Sequence, residues 1–148
     1  MKLVVDANVV FSALIPRSIA FFVFSLNSLS KKFEFIAPEY LWLEIEKKKE
    51  KIQKCSGLRK EELEELIDFL KGEIEIIPNS EFLEFLAKAE DLLRGHEKDA
   101  PYLALALAFK CEIFSGDKRL KELSPVAVYS PRELLDMLLG KRGENHHA

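Results

Sequence analysis

The chain has 148 residues, of which 48% are hydrophobic and 32% are charged, and its formal net charge is −3. These values predict one folded domain with a substantial core, and they exclude intrinsic disorder and a molecule-wide basic field for binding nucleic acid. The two cysteines, Cys55 and Cys111, form no CxxC pair, which argues against a disulfide framework or a zinc site and indicates a reducing cytoplasm.

Five short apolar runs have the composition of buried β-strands. In chain order they are Lys2–Val5, Phe33–Ile36, Ile74–Ile77, Cys111–Ser115 and Val126–Tyr129. Helical patterns fill the segments between them. Strands that alternate with helices predict an open α/β sheet with right-handed crossovers, and such sheets bind ligands beyond the carboxyl ends of their strands.

Apolar spacing and breaking residues mark the predicted helices. Pro16 and Ser18 divide the apolar segment 9–29 into a short turn and a helix. Further helices are predicted from Pro38 to the break at Gly57, at 63–70, at 82–93, at 101–109 and from 131 to 138. The last of them starts with a capping box at residues 130–133, and the tail 140–148, with its two histidines, is predicted to be disordered.

Two acids flank the most apolar helix and the strand that follows it. The helix from Pro101 to Phe109 is apolar nearly all round, which predicts burial on every side. Asp99 precedes this helix, and Asp117 follows the next strand. Each acid taken alone has an ordinary explanation. Asp99 can act as a helix cap or as a first-turn acid favoured by the helix dipole, and Asp117 can be a turn residue after Gly116.

Two further acids, Asp6 and Glu44, lie in the first third of the chain. Asp6 ends the first predicted strand, so it belongs to the same edge of the sheet as Asp117. Glu44 lies early in the helix after the second strand, and its ordinary explanation is an ion pair with Lys48 one turn later. Converging acids without paired lysines or arginines need a counter-charge, and oxygen-only ligands favour Mg²⁺ or Mn²⁺ over zinc.

The motifs of other α/β chemistries are absent from the sequence. No GxGxxG follows the first strand, and neither GxxxxGK[ST] nor GxSxG occurs, which argues against dinucleotide-binding, P-loop and nucleophile-elbow functions. No apolar run reaches membrane-spanning length, and the first residues lack a signal-peptide layout. A hard cation held by carboxylates is suited to the hydrolysis of phosphodiesters.

Four motifs, taken together and in order, resemble the PIN domain nucleases. They are the opening LVVDAN, the segment PEYLWLEI, the segment KDAPYLALALA, and IFSGDKRL followed by a short last strand and SPRELL. The resemblance runs nearly the whole chain, so residues 1–139 are expected to form one nuclease domain similar to VapC-like ribonucleases. It implies a three-layer α/β sandwich with a five-stranded parallel sheet in the order 3-2-1-4-5.

The resemblance also implies roles for particular residues. The catalytic acids that it places at one end of the sheet, around Mg²⁺ or Mn²⁺, are Asp6, Glu44, Asp99 and Asp117. The three aspartates are the implied metal ligands, whereas Glu44 reaches in from its helix and helps to deprotonate the nucleophile. Asn8 and Ser115 are the implied supports that orient the carboxylates.

One position departs from the family pattern. Many relatives carry a further acid two residues after the last one, and Arg119 occupies that place here. The site is therefore expected to hold one metal firmly, and a second only weakly or together with substrate. Lys48, Lys118 and Arg119 are candidates for binding substrate phosphate. A solvated surface explains Lys118 and Arg119 equally well, and it is the more typical explanation of the lysine and glutamate run that contains Lys48.

The substrate and the partners are implied by the resemblance alone. It implies single-stranded RNA as the substrate, and the length suits the toxin of a toxin–antitoxin pair, whose antitoxin covers the acidic cleft. The alternatives are a stand-alone RNA-processing nuclease and an inactive PIN-like module that only binds RNA or protein. A homodimer is expected with Ile19–Leu26 as a candidate contact, unless Phe21, Phe22 and Phe24 all pack inside one subunit.

Overall fold

Five parallel strands form the sheet at the centre of the structure, a computed structural model that describes residues 1–141. The strand order is β3-β2-β1-β4-β5. The strands are β1 (Lys2–Val5), β2 (Glu34–Pro38), β3 (Ile74–Ile77), β4 (Glu112–Phe114) and β5 (Val128–Tyr129). The predicted order is confirmed, and its topological switch point lies between β1 and β4.

Helices in the described residues connect these strands. They are α1 (Ala7–Ala13), α2 (Ile19–Ser30), α3 (Tyr40–Lys47), α4 (Lys49–Ser56), α5 (Lys60–Glu73), α6 (Leu86–Leu92), α7 (Ala100–Phe109), α8 (Lys118–Leu123) and α9 (Pro131–Leu138). Leu3, Val4 and Val5 of the central strand are fully buried, so helices cover both faces of the sheet. This three-layer arrangement confirms the predicted fold class.

The apolar helix α7 packs directly on the centre of the sheet. It lies against β1, β2 and β4, and it also packs against α6. Ala100, Ala104 and Ala106 are each no more than 1% exposed. Because their side chains are small, the helix and the sheet can approach closely. The predicted burial of this helix is confirmed from Tyr102 to Ala106, whereas Pro101 and residues 107–109 are only partly buried.

The aromatic side chains of α2 divide between the core and the surface. Phe24 is fully buried, and its ring centre lies 4.9 Å from that of Phe35 and 5.7 Å from that of Phe114. By contrast, Phe22 is 43% exposed and Ile19 is 37% exposed. The alternative in which all the phenylalanines of this segment pack inside one subunit is therefore wrong for Phe22.

Several element boundaries differ from the sequence-based prediction. The segment before Pro16, predicted as a turn, forms the seven-residue helix α1. Pro38 ends β2 beside Ile77, so it does not open the next helix. That helix is divided into α3 and α4, because Lys48 has φ −107° and ψ 11°, outside the helical region.

The predicted helix 82–93 is helical only in its second half. Two short 3₁₀ turns, Asn79–Glu81 and Leu83–Phe85, precede α6. Between them Phe82 has φ −134° and its side chain is 3% exposed. The ring of Phe82 is therefore buried although the backbone of this residue is outside the α-helical region.

The tail predicted to be disordered lies outside the described residues from position 142 onwards, and this includes His146 and His147. Among the residues that are described, no helix has the length and apolar character needed to cross a membrane.

Candidate active site

The ends of β1 and β4 bring Asp6 and Ser115 side by side. Val5 pairs with Phe114 in the parallel register, so the next residue of each strand lies beside the other. The backbone N–H of Asp6 donates to the carbonyl of Phe114 at 3.0 Å. The hydroxyl of Ser115 donates to Oδ2 of Asp6 at 2.7 Å, and Asp6 is 4% exposed. The sheet thus holds a buried carboxylate at its switch point.

Asp99 and Asp117 form a cluster with Asp6. One carboxylate oxygen of each residue lies within 4.8 Å of those of the other two. Asp99 directly precedes α7, and Asp117 directly precedes α8. None of the ion pairs among residues 1–141 includes any of these three acids. Three carboxylates therefore converge where no lysine or arginine of the described chain neutralises them.

The side chains of Asp99 and Asp117 differ in whether they form capping hydrogen bonds to the helix that follows. Asp99 occupies the N-cap position of α7, but its side chain makes no capping hydrogen bond to that helix. The Asp117 Oδ1 atom does cap α8, accepting from the backbone N–H of Arg119 at 2.8 Å and of Leu120 at 3.2 Å. These bonds leave the other oxygen of Asp117 without a backbone donor, so capping and ion binding are compatible in this residue.

Ser115 and Asn8 connect the acids through a short hydrogen-bond network. The Ser115 Oγ atom accepts from the backbone N–H of Asp117 at 3.0 Å and from Nδ2 of Asn8 at 3.3 Å. Oδ1 of Asn8 accepts from the backbone N–H of Gly116 at 3.2 Å, which orients its amide group. Since both acceptor positions of the hydroxyl are occupied, its single proton points at Asp6.

Glu44 approaches the cluster from α3 and is held by Tyr102 of α7. The Tyr102 hydroxyl donates to Oε1 of Glu44 at 2.6 Å, and the tyrosine is 1% exposed. Burial raises the pKa of Tyr102, and the hydrogen bond to the Glu44 carboxylate and its charge raise it further. The phenol therefore keeps its proton and acts as a donor. Lys48 does not pair with Glu44; its Nζ lies 4.9 Å from the ring centre of Phe11. The ion pair with Lys48, which was the ordinary explanation of Glu44, is therefore absent from the described residues.

Burial and repulsion raise the pKa values of two of the aspartates. Burial raises the pKa of Asp6 to about 7; the hydrogen bond from Ser115 opposes this shift, and the charges of the other site acids add to it. Burial also raises the pKa of Asp99 to about 6, with a further contribution from the charge of Asp117 and an opposing one from His96. Both shifts express mainly the free-energy cost of burying a negative charge, and repulsion between the neighbouring acids adds to that cost.

The donor set and its spacing fit a hard divalent cation. Such ions bind carboxylate oxygens at about 2.1 Å for Mg²⁺ and at about 2.3–2.6 Å for Ca²⁺, so opposite ligands of one ion lie about 4–5 Å apart. The three aspartate oxygens lie within 4.8 Å of one another. An ion bound there would balance the charge that raises the pKa of Asp6 and Asp99.

Comparison with known proteins agrees with this fold. Residues 4–130 match the PIN domain family. The chain belongs to the PIN domain family. A chain in the crystal structure of VapBC2 from Rickettsia felis bound to a DNA fragment from their promoter is similar in fold, with a TM-score of 0.67 and 14% identity over 88% of this chain and 98% of that chain. No curated protein matches the chain by sequence.

The basic residues near the acidic site of this PIN domain differ in whether they form ion pairs with acidic residues. Lys118 and Arg119 are exposed at the start of α8, and neither makes an ion pair with a described acid. Lys49 pairs with Glu64, and its Nζ lies 3.8 Å from Oε1 of Glu46. The lysine run of α3 and α4 is therefore neutralised in part, whereas Lys118 and Arg119 are not.

Sequence reasoning missed two residues beside the acids of the PIN domain. Tyr102 is the only residue with a hydroxyl in the apolar run 101–109, and this was the one available signal for a buried hydrogen bond. His96 lies close enough to Asp99 to lower its pKa, and the sequence contains no pattern that pairs them. Both contacts depend on where α7 and the turn before it meet the rest of the fold.

Proposed function

We propose that this PIN domain is a metal-dependent endoribonuclease that hydrolyses the phosphodiester bonds of single-stranded RNA. The observation that carries the proposal is the convergence of Asp6, Asp99 and Asp117, with oxygens within 4.8 Å and no lysine or arginine paired to them among residues 1–141. Membership of the PIN domain family supports the class of reaction.

In this proposal the three aspartates hold Mg²⁺ or Mn²⁺. When bound, such an ion stabilises negative charge on a phosphate and lowers the pKa of water. Glu44, oriented by the Tyr102 hydroxyl at 2.6 Å, accepts a proton from the attacking water. The water oxygen bonds to phosphorus as the bond from phosphorus to the leaving oxygen breaks. The leaving oxygen takes a proton from solvent, so one strand gives two products.

The remaining residues of the proposed site orient the carboxylates or attract the phosphates of the substrate. Ser115 directs its proton at Asp6, and Asn8 holds the serine hydroxyl in place. Lys118 and Arg119 are exposed beside Asp117, where they attract the phosphates of an approaching strand. Residues 1–139 make up the nuclease domain in this proposal.

The biological setting that we propose is the toxin of a toxin–antitoxin pair in the cytoplasm. Its support is the likeness to a chain of VapBC2 bound to promoter DNA, together with two cysteines that form no disulfide. The antitoxin would silence the enzyme by covering the acidic cleft. Expression of the chain alone should arrest growth, and the Asp6→Asn variant should not; growth at the normal rate with active enzyme present would indicate a stand-alone processing nuclease.

A cleavage assay tests the enzymatic proposal. End-labelled single-stranded RNA is incubated with the protein in Mn²⁺, in Mg²⁺ and in excess chelator, and the fragments are separated by electrophoresis. We expect cleavage with either ion, none in chelator, and none by Asp6→Asn. Asp68→Asn is the matched control, because it removes an exposed carboxylate from α5. Intact RNA under all conditions would favour a PIN-like module that only binds.

A further inference from the structure

A groove between α1 and α4 opens one helical turn along α1 from Asn8. Its cavity of about 360 Å³ is lined by residues that include Phe11, Ser12, Lys48, Lys51 and Cys55. Ser12 follows Asn8 by one turn on α1 and donates to its carbonyl at 3.1 Å. Lys48 follows Glu44 by four positions and lies at the junction of α3 and α4. The groove therefore begins about 6 Å along α1 from Asn8.

We propose that this groove binds one base of the RNA strand, next to the phosphate that is cut. The base stacks on the ring of Phe11, and Lys48 and Lys51 contact the neighbouring phosphates. This inference rests on the proposed function and adds to it a subsite for the strand that flanks the reacting bond.

The ring of Phe11 is available to a planar ligand. Phe11 is partly buried, and its packed side contacts the core. The ammonium group of Lys48 lies 4.9 Å from the ring centre, so a cation already occupies a face of the ring. Lys48 is exposed, so its side chain is free to turn from the ring to a phosphate when a base takes its place. Stacking of this kind accepts any base, because every base has a π-face.

The charges of the groove favour a polyanion over an apolar peptide. Lys48 and Lys51 make no ion pair with any described acid, whereas the adjacent Lys49 is paired with Glu46 and Glu64. An apolar peptide helix in the groove would cover two ammonium groups without neutralising them, which is costly. A nucleotide supplies both a flat ring for Phe11 and negative charge for the lysines.

Steady-state cleavage of single-stranded RNA in Mn²⁺ provides the first test. Phe11→Leu should raise KM about tenfold, within the range that base stacking contributes, and Phe11→Trp should restore it. Lys51→Gln should raise KM, whereas Lys54→Gln, on the same helix but outside the groove lining, should not. A KM for Phe11→Leu within twofold of wild type, in an enzyme that still cleaves, would overturn the subsite and leave the nuclease proposal standing.

The exposed thiol of Cys55 gives a second test that needs no catalysis. Cys55 lines the groove, whereas Cys111 is buried and burial raises the pKa of its thiol to about 11, which makes it a slow internal reference. A 2′-O-methyl RNA ten-mer, with its integrity checked on a gel, should slow alkylation of Cys55 several-fold, as measured by mass spectrometry. In Phe11→Leu, the same protection should need about tenfold more ten-mer. Unchanged alkylation of Cys55 in saturating ten-mer would refute the subsite, whether or not the enzyme cleaves RNA.

Discussion

The hydroxyl of Tyr102 donates a hydrogen bond of 2.6 Å to Oε1 of Glu44, across 58 positions of sequence. Tyr102 is 1% exposed on the helix that packs on the sheet, so its hydroxyl has a fixed position. Glu44 lies on α3, where its long side chain has rotamer freedom that the hydrogen bond removes. The buried phenol therefore connects the apolar centre of the fold to the glutamate proposed as the base.

We expect Tyr102→Phe to lower kcat for RNA about tenfold with a small change in KM, because a misoriented base affects the reaction more than binding. The free energy of unfolding should fall by about 1 kcal/mol, since one hydrogen bond is lost and the ring is kept. Tyr40→Phe is the control, because no hydrogen bond to its hydroxyl is present in the described residues. A kcat of Tyr102→Phe equal to that of wild type would show that Tyr102 does not orient the base.

Ser115→Ala should weaken Mn²⁺ binding about tenfold or more, as loss of a partner that orients a ligand does in other metal sites. The substitution removes the donor to Asp6 at 2.7 Å and the acceptor for the N–H of Asp117 at 3.0 Å. Ser115→Thr keeps the hydroxyl and should bind nearly normally. Calorimetric titration with Mn²⁺ measures both variants, and equal affinity of the alanine variant and wild type would contradict the prediction.

The affinity for Mn²⁺ should fall as the pH falls below 7. Burial raises the pKa of Asp6 to about 7 and that of Asp99 to about 6, and a cation binds the ionised carboxylates. Below these values the ion must displace protons, so affinity should drop by about tenfold per pH unit for each proton released. Titrations at pH 5.5 and 7.5 measure this, and equal affinities would contradict the raised pKa values.

The stability of the metal-free protein should change with pH in the opposite direction. The folded state holds the proton of Asp6 up to about pH 7, whereas the unfolded chain loses it near pH 3.8. Over that interval the unfolded state binds fewer protons, so this residue makes stability fall as pH rises. Urea unfolding in chelator should therefore show a steeper fall from pH 5 to 7.5 for wild type than for Asp6→Asn. Parallel pH profiles of the two proteins would exclude the effect.

The acids at strand ends were the part of the site that sequence reasoning located best. Asp6 and Asp117 each follow an apolar run directly, and parallel strands place such residues at one edge of a sheet. Their convergence with Asp99 also needed the path of the chain before α7, which no local pattern contains. The position of Asp99 before the most apolar helix drew attention to it, but only the family resemblance assigned Asp99 and Glu44 to the same site as Asp6.

The errors of prediction arose where tertiary contacts decide local structure. Phe82 fits a helical stripe, yet its ring is buried from a non-helical backbone, so the helix starts later, at Leu86. Lys48 interrupts a run of good helix formers without any proline or glycine. The Tyr102–Glu44 hydrogen bond joins helices far apart in sequence, so periodicity cannot reveal it. The strand order, by contrast, followed from the family resemblance.

The predicted homodimer can be tested at the exposed part of α2. Ile19 and Phe22 lie one turn apart, with 37% and 43% of their surfaces exposed, and they belong to the predicted contact Ile19–Leu26. We expect light scattering at micromolar concentration to give twice the chain mass for wild type and the mass of one chain for Phe22→Glu. Leu83→Glu, at another exposed apolar residue, should remain dimeric. A wild-type mass equal to one chain would exclude the dimer.

The central claim is that Asp6, Asp99 and Asp117 together hold one divalent cation. Like charges at about 5 Å repel by about 3 kcal/mol per pair at an effective dielectric near 20, before relaxation and proton uptake. Replacing one of the three aspartates by asparagine removes a charge that repels the other two, and it also removes a metal ligand. Asp99→Asn should therefore leave the metal-free protein as stable as wild type, or more stable.

Thermal melting of wild type and Asp99→Asn, each with chelator and with Mn²⁺, tests this claim most directly. We predict that Mn²⁺ raises the melting temperature of wild type clearly and that of Asp99→Asn much less, because the ion stabilises only the folded state that binds it. Asparagine retains the size and much of the hydrogen bonding of aspartate, so the comparison isolates the charge. A Mn²⁺ shift of the same size in both proteins would remove Asp99 from the site and contradict the account.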